Sequence, residues 1–250
     1  MPSEFIGMSP ENSKLAQELK LDAEGLLPHL GEHWQQQFAV MSSRLSISRL
    51  LFLNFLYNSI LNVPGHILEF GVQWGATLSQ LIGLRSIYEP FNVRRLIYGF
   101  DTFTGLKGVS RRDHESIHEG DYSVSDDWSV TLNRILEKTE KSNPLGEMRR
   151  TFTIKGDASQ TVDFWLEENP DTPAALVFLD MDIYEPTKIV LEKVKERLIP
   201  GSVVVLDEFN HPMFPGERAA ALEVFGNVKF ELNSLYGNAA YFVITESCIT

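Results

Sequence analysis

The 250-residue chain has a single cysteine, Cys248, so no intramolecular disulfide framework can staple it. One thiol in a chain of this length suits a reducing compartment, and a cytoplasmic location is the expectation. Long hydrophobic runs are also missing. The apolar run Leu50-Leu51-Phe52-Leu53 is broken by Asn54 and Asn58. It is too short and too polar to cross a bilayer and reads as part of a buried helix. The start, Met1-Pro2-Ser3-Glu4, is acidic and carries no apolar leader, so no secretory signal is expected. Positive charge is scarce: 22 Lys and Arg stand against 34 Asp and Glu, for a net charge of −12. Basic residues adjoin only as Arg94-Arg95, Arg111-Arg112 and Arg149-Arg150. Nucleic-acid binders show a basic face, and isolated pairs of this kind are solvated surface. Neither nucleic acid nor membrane is an expected partner. Internal repeats and low-complexity segments are absent as well.

What is present fits one α/β domain with a developed core; hydrophobic residues make up 43%. From residue 66 onward, short apolar runs alternate with segments of helical period. Strands are expected at 66–70, 96–100, 152–155, 174–179 and 203–206, with a final antiparallel pair at 228–232 and 240–244. Helices are expected at 76–87, 161–168 and 186–198, the last opened by Pro186 in its first turn and closed by Pro200-Gly201. Such alternation argues for a doubly wound, mostly parallel sheet of seven strands. Ahead of it, residues 1–35 read as helical, interrupted at Pro2, Pro10 and Pro28. A helix over 42–61 has Ser42-Ser43 to cap its start and Pro64-Gly65 to end it; Leu45, Leu50, Leu53, Phe55 and Leu56 are its expected buried positions. The expected organisation is a single domain over 1–250, with a helical cap over 1–62 and the core over 63–250. Residues 102–133 hold Gly105, Gly108, Gly120, two histidines and many charges with little periodicity. A stretch that long inside a compact domain reads as a functional lid, with Tyr122 and Trp128 to pack it down.

Charge placement is the most informative pattern. The apolar run Ala174–Leu179 ends in Asp180-Met181-Asp182-Ile183, and Ser202–Leu206 ends in Asp207-Glu208. Carboxyl ends of parallel strands open into the crevice where α/β proteins bind ligands. Two neighbouring strand ends thus offer several carboxylates to one small volume. Like charges so close repel unless a proton or a cation intervenes, and hard oxygen ligands suit Mg²⁺ or another divalent cation. His211, just after Glu208, is a further candidate base or ligand.

The other strand ends carry complementary signals. Gly71-Val72-Gln73-Trp74-Gly75 follows the first strand, and glycine there allows a tight turn and close approach to a ligand. Its G-x-x-x-G spacing departs from the dinucleotide fingerprint and counts against a nicotinamide cofactor. Asp101 ends the second strand, where a carboxylate can accept both hydrogen bonds of a ribose diol. Asp157-Ala158-Ser159 follows the third and suits either an adenine edge or a helix cap.

The segments Glu69–Gly75, Tyr98-Gly99-Phe100-Asp101-Thr102-Phe103-Thr104-Gly105-Leu106, Leu179-Asp180-Met181-Asp182-Ile183-Tyr184-Glu185-Pro186-Thr187 and Leu206-Asp207-Glu208-Phe209 occur in an order that resembles the macrocin O-methyltransferase (TylF-like) family. The resemblance runs from about Met41 to about Leu232. It implies a Rossmann-like fold of the class I methyltransferases and transfer of a methyl group from S-adenosylmethionine, assisted by Mg²⁺ or another divalent cation. The expected acceptor is a hydroxyl of a sugar or related group in a secondary metabolite such as an antibiotic, and a homo-oligomer is the expected assembly. Carried over by position, the resemblance makes Glu69, Gly71, Gly75 and Thr77 the cofactor loop. Asp101 holds the ribose, and Asp157 and Ser159 lie near the adenine. Asp180, Asp207 and Glu208 are the metal ligands. Asp180 is also the candidate base, supported by Asp182, with His211 as the other candidate. This chain has Asp207-Glu208 where the family commonly carries two aspartates. The rival acceptor is a phenol or catechol. A nucleotide-dependent oxidoreductase and a non-catalytic nucleotide-binding protein are the rival functions.

Overall fold

The computed structural model describes residues 10–226 and 228–246. Cys248 and the break expected at Pro2 lie outside them. The packing divides the chain into two compact units, residues 1–48 and 49–250.

The described part of the first unit is helical. Helix α1 (Pro10–Leu26) is followed by 3-10 turns at Leu27–His29 and Gly31–His33, the short α2 (Trp34–Gln37) and a further 3-10 turn at Phe38–Met41. Leu15, Leu19 and Leu21 of α1 are exposed.

The second unit holds a seven-stranded sheet among the described residues, in the order β3-β2-β1-β4-β5-β7-β6. The strands are β1 (His66–Phe70), β2 (Ile97–Asp101), β3 (Thr151–Lys155), β4 (Ala174–Leu179), β5 (Val203–Leu206), β6 (Glu231–Asn233) and β7 (Tyr236–Val243). The first five pair in parallel; β7 runs antiparallel to β5, and β6 antiparallel to β7. This is the doubly wound, mostly parallel sheet that the alternation predicts. The strands β1, β4 and β5 are buried on both faces, which is why β4 and β5 read as unbroken apolar runs, while β1 buries His66 and Glu69 among its apolar residues. Successive residues serve opposite layers. Ile67, Leu176 and Phe178 pack with Phe52, Leu53 and Leu56 of α3 (Arg44–Ser59) and with α4 (Ala76–Tyr88). Leu68, Val177 and Leu179 pack with α6 (Ala158–Glu168), α7 (Tyr184–Val194) and α8 (Pro215–Phe225).

Three expectations need correction. The buried stripe of α3 is Phe52, Leu53, Leu56 and Tyr57. Leu45 and Leu50 are exposed and Phe55 is half-buried, so those three do not belong to it. Residues 128–133 are not loop: they begin α5 (Trp128–Lys141), an amphipathic helix that buries Leu132 and Leu136. Its i, i+4 pattern adjoins a glycine-rich stretch and was masked by it. The last strand starts at Tyr236, four residues early, because Gly237-Asn238, which read as a turn, lie within an extended segment.

Candidate functional site

The backbone ladder of the sheet continues one residue beyond the strand ends. Gly71 donates its N–H to Phe100 O at 2.9 Å, Asp180 to Phe70 O at 2.8 Å, Asp207 to Leu179 O at 3.0 Å and Gly156 to Asp101 O at 2.8 Å. Because Leu179 pairs with Leu206, Asp180 and Asp207 emerge side by side. The order places β1 between β2 and β4, so the chain reverses direction of winding there, and the crevice opens at that switch point. A cavity of about 390 Å³ occupies it, lined among others by Glu69, Asp101, Asp157, Asp180, Asp182 and Asp207.

A cation stands among these acids. Arg49 donates from Nη2 to Asp180 Oδ2 at 2.7 Å and from Nη1 to Asp207 Oδ2 at 2.8 Å. Its remaining N–H groups reach Thr77 Oγ1 at 3.0 and 3.3 Å and the Tyr236 hydroxyl at 3.0 Å. One turn before Phe52 and Leu53, it shares the buried side of α3. Sequence reading missed it, since an arginine within an apolar helix carries no local signal of a partner more than a hundred residues away.

One guanidinium does not neutralise the cluster. Asp207 Oδ1 and Glu208 Oε2 are buried without a hydrogen-bond partner. Burial, and then the charge of Asp207, push the Asp180 carboxyl up to about 7. Burial and the charge of Asp180 push Glu208 up to about 7 as well. Asp207 is raised chiefly by burial, and Asp182 well above the carboxylate range by burial and the adjoining Asp180.

The first-strand loop is built around Asp101. Its Oδ2 accepts the N–H groups of Val72 and Gln73, both at 2.7 Å, and its Oδ1 that of Phe103 at 2.5 Å. Asp101 therefore pins the glycine turn while also lining the cavity. Gly71 has φ +94°, and a Cβ there would stand 1.8 Å from the Asp180 carbonyl oxygen, so only glycine lets the β1 and β4 ends meet. Glu69 lies beneath, fully buried, with Oε2 unpartnered. Burial first, then the charge of Asp180, raise its pKa well above the usual carboxylate range.

A second residue escaped sequence reading. Glu217 of α8 is completely buried. Its Oε1 accepts the N–H of Met181 at 2.9 Å and of Asp182 at 3.0 Å, and its Oε2 that of Glu208 at 3.3 Å. One carboxylate thus ties together both loops that carry the acids. Asp182 sits there at φ +66°, a conformation rare outside glycine.

The remaining candidates divide. Thr77 lines the cavity and holds Arg49. Asp157 lines it too, and is also the N-cap of α6, accepting from Ser159 N at 2.9 Å and from Ser159 Oγ at 2.7 Å. Ser159 and Gly75 are not among the lining residues, nor is His211. The His211 Nδ1 accepts from Met213 N at 3.3 Å, and its ring packs on Phe214. Among the described residues, no three acidic, histidine or cysteine side chains are arranged as a metal-ligand set. The loop from Thr102 to Asp127 reaches the cavity through residues such as Lys107 and Tyr122. It is held by its own bonds, with Glu119 accepting from Gly108 N and Val109 N. No helix among the described residues is long and apolar enough to cross a membrane.

Comparison with known proteins adds a lineage to this geometry. The sequence profile of macrocin-O-methyltransferase (TylF) matches residues 12–235. The mycinamicin III 3''-O-methyltransferase of Micromonospora griseorubida is 28% identical over 158 residues, 60% of this chain and 57% of that protein. A Streptomyces olivaceus enzyme, 8-demethyl-8-(2,3-dimethoxy-alpha-L-rhamnosyl)-tetracenomycin-C 4'-O-methyltransferase, is 26% identical over 194 residues, 72% of this chain and 66% of that protein. The chain thus spans less than two thirds of the length of either relative. The crystal structure of CalS11, a calicheamicin methyltransferase, superposes with a TM-score of 0.88 at 35% identity, covering 96% of this chain and 95% of that one. Its apo structure, described as a TDP-rhamnose 3'-O-methyltransferase, gives 0.82 at 34% identity, covering 96% and 97%. The chain belongs to the macrocin-O-methyltransferase (TylF) family.

Proposed function

We propose that this protein transfers a methyl group from S-adenosylmethionine to a hydroxyl of a sugar or related group in a secondary metabolite, with a divalent cation, Mg²⁺ by preference, assisting. The observation that carries the proposal is the convergence of Asp180 and Asp207 on one point at the sheet's switch crevice, beside the Gly71 turn. Two relatives name a rhamnosyl group and TDP-rhamnose in their own activities, which supports a sugar acceptor over a phenol or catechol.

The residues present fit the donor. Glu69 offers a buried, unpartnered oxygen for a cationic amino group, and Asp101 and Asp157 line the same cavity as the Gly71 turn. Gly75, Thr77 and Ser159 complete the proposed donor-binding set. The donor supplies an electrophilic methyl carbon. The residues also suit a divalent cation by donor chemistry: Asp207 Oδ1 and Glu208 Oε2 are buried oxygens without partners, and Asp180 Oδ2 and Asp207 Oδ2 already share one cationic group, Arg49. Bound there, the cation would supply positive charge to hold vicinal oxygens and make the hydroxyl more acidic.

The chain's own part is proton transfer and placement. Asp180, with its affinity for a proton raised into the neutral range, takes the proton that the acceptor hydroxyl gives up as the oxygen–carbon bond forms. Asp182, which lines the same cavity, is the proposed supporting residue, and His211 is the other candidate base. The loop over residues 102–127 acts as the lid over the acceptor, within one methyltransferase domain over 1–250 whose residues 1–62 form a helical cap. A homo-oligomer is proposed as the working assembly, with the exposed Leu50 and Leu51 of α3 available to a second copy; light scattering in solution reads it directly.

Mass spectrometry of TDP-rhamnose, rhamnosylated aglycones and a catechol, incubated with isotopically labelled donor, tests the acceptor class. One labelled methyl on a sugar is expected; labelling of the catechol alone would transfer the reading to phenols. Asp180→Asn should abolish turnover while donor binding persists. Chelation should silence the enzyme and Mg²⁺ restore it, and activity indifferent to EDTA would remove the cation from the reading.

A further inference from the structure

Arg49 sits where the proposed cation would have to be. Its guanidinium bridges Asp180 Oδ2 and Asp207 Oδ2 at 2.7 and 2.8 Å. All five of its N–H groups are spent: Nε on Thr77, Nη1 on Asp207 and Tyr236, Nη2 on Thr77 and Asp180. Its plane is further held against the rings of Phe178 and Tyr236, 5.4 and 5.6 Å from their centroids. An arginine so placed is a rigid, permanently charged counter-ion. It cannot yield by losing its proton, only by moving.

We propose that Arg49 is the resident counter-ion of the acidic pair, and that a divalent cation binds Asp180, Asp207 and Glu208 only by displacing it, so that Arg49 sets the cation affinity of the site. The inference rests on reading those three residues as the ligand set. Two facts of charge and geometry support it. A dication and a guanidinium cannot share the space between two carboxylate oxygens, because like charges at that distance repel by several times thermal energy. Meanwhile one guanidinium leaves Asp207 Oδ1 and Glu208 Oε2 buried and unpartnered, so the cluster retains unmet demand for positive charge that Arg49 cannot serve. Arg49 then has two effects: it keeps Asp180 and Asp207 aligned in the absence of cation, and it makes each cation compete for its place.

The test is calorimetric titration of Mg²⁺, and of Mn²⁺ read by electron paramagnetic resonance, into metal-free wild type, Arg49→Lys and Arg49→Gln. Circular dichroism shows which variants keep the fold. Removing the competitor should tighten cation binding by about tenfold or more in Arg49→Gln. Lysine, one point charge with three donors, should give an intermediate gain, and it carries the test if the glutamine variant does not fold. Thermal stabilisation by Mg²⁺ should rise in the same order. Cation affinity unchanged or weakened in both folded variants would overturn the competition and leave the ligand set standing. Absence of binding to wild type and to both variants would overturn the ligand set, and the competition with it.

Discussion

Glu217 accepts the backbone N–H of Asp182 at 3.0 Å, and with its second oxygen that of Glu208 at 3.3 Å. The two loops that carry the acids are therefore referenced to one side chain on α8. Glu217→Ala should cost about 2–4 kcal/mol of stability, because one buried and two partly buried N–H groups lose their acceptor. It should also lower kcat more than donor affinity, since Asp182 and Asp180 lose their anchor. Glu217→Gln keeps one carbonyl oxygen for Met181 and Asp182 and should fall between. Denaturant unfolding beside steady-state kinetics reads both, and an alanine variant with wild-type stability would contradict the clamp.

Gly71→Ala places a Cβ 1.8 Å from the Asp180 carbonyl oxygen at φ +94°. The conformation alone costs about 1–3 kcal/mol in a residue other than glycine, and the clash forces the β1 and β4 ends apart. The expected result is a lower melting temperature together with weakened donor binding. Unaltered calorimetric affinity for S-adenosylmethionine would show that the turn does not touch it.

Asp101→Ala removes the acceptor of the Val72, Gln73 and Phe103 N–H groups. Donor affinity should fall, and Asp101→Asn, which keeps one oxygen, should lose less. Calorimetry with the reaction product S-adenosylhomocysteine separates affinity from turnover; equal affinity in all three proteins would refute the assignment of Asp101 to the ribose.

The acid cluster predicts a pH dependence of stability. Asp180 and Glu208 are pushed up to about 7, against roughly 4 in an unfolded chain. Folded protein then holds more protons than unfolded in between. Their contribution is complete below the unfolded value and is lost as pH rises through about 7. His66 acts in the opposite sense. Buried, beside Arg95 and accepting from Trp165 Nε1 at 3.2 Å, it is lowered to about 4. Its contribution is present above about 6.5 and lost as pH falls through about 4. Above about 6.5 only the acids act, so the unfolding midpoint of metal-free protein should decline toward pH 8. Asp180→Asn should flatten that decline; stability that rises across this range would oppose the cluster.

Much of the site was legible because its signals are local. Strand ends announce themselves where an apolar run meets a charge, as at Leu179-Asp180 and Leu206-Asp207, and register then sets those two acids side by side. Glycine at 71 speaks for a turn without help from the rest of the chain. Arg49 and Glu217 gave no such sign. Arg49 lies 131 residues from Asp180 and 158 from Asp207, and Glu217 lies 35 from Asp182. An arginine on an apolar helix and a glutamate early in another carry no local mark of a buried partner.

By itself the sequence determined the layering, the order of strands and helices, and the collection of negative charge at one edge, because polarity and backbone preference act over a few residues at a time. Tertiary structure decided what neutralises that charge and what anchors its loops. Those outcomes depend on how α3 and α8 pack against the sheet, where a buried ion must find its partner at hydrogen-bond distance or lose the protection of water for nothing.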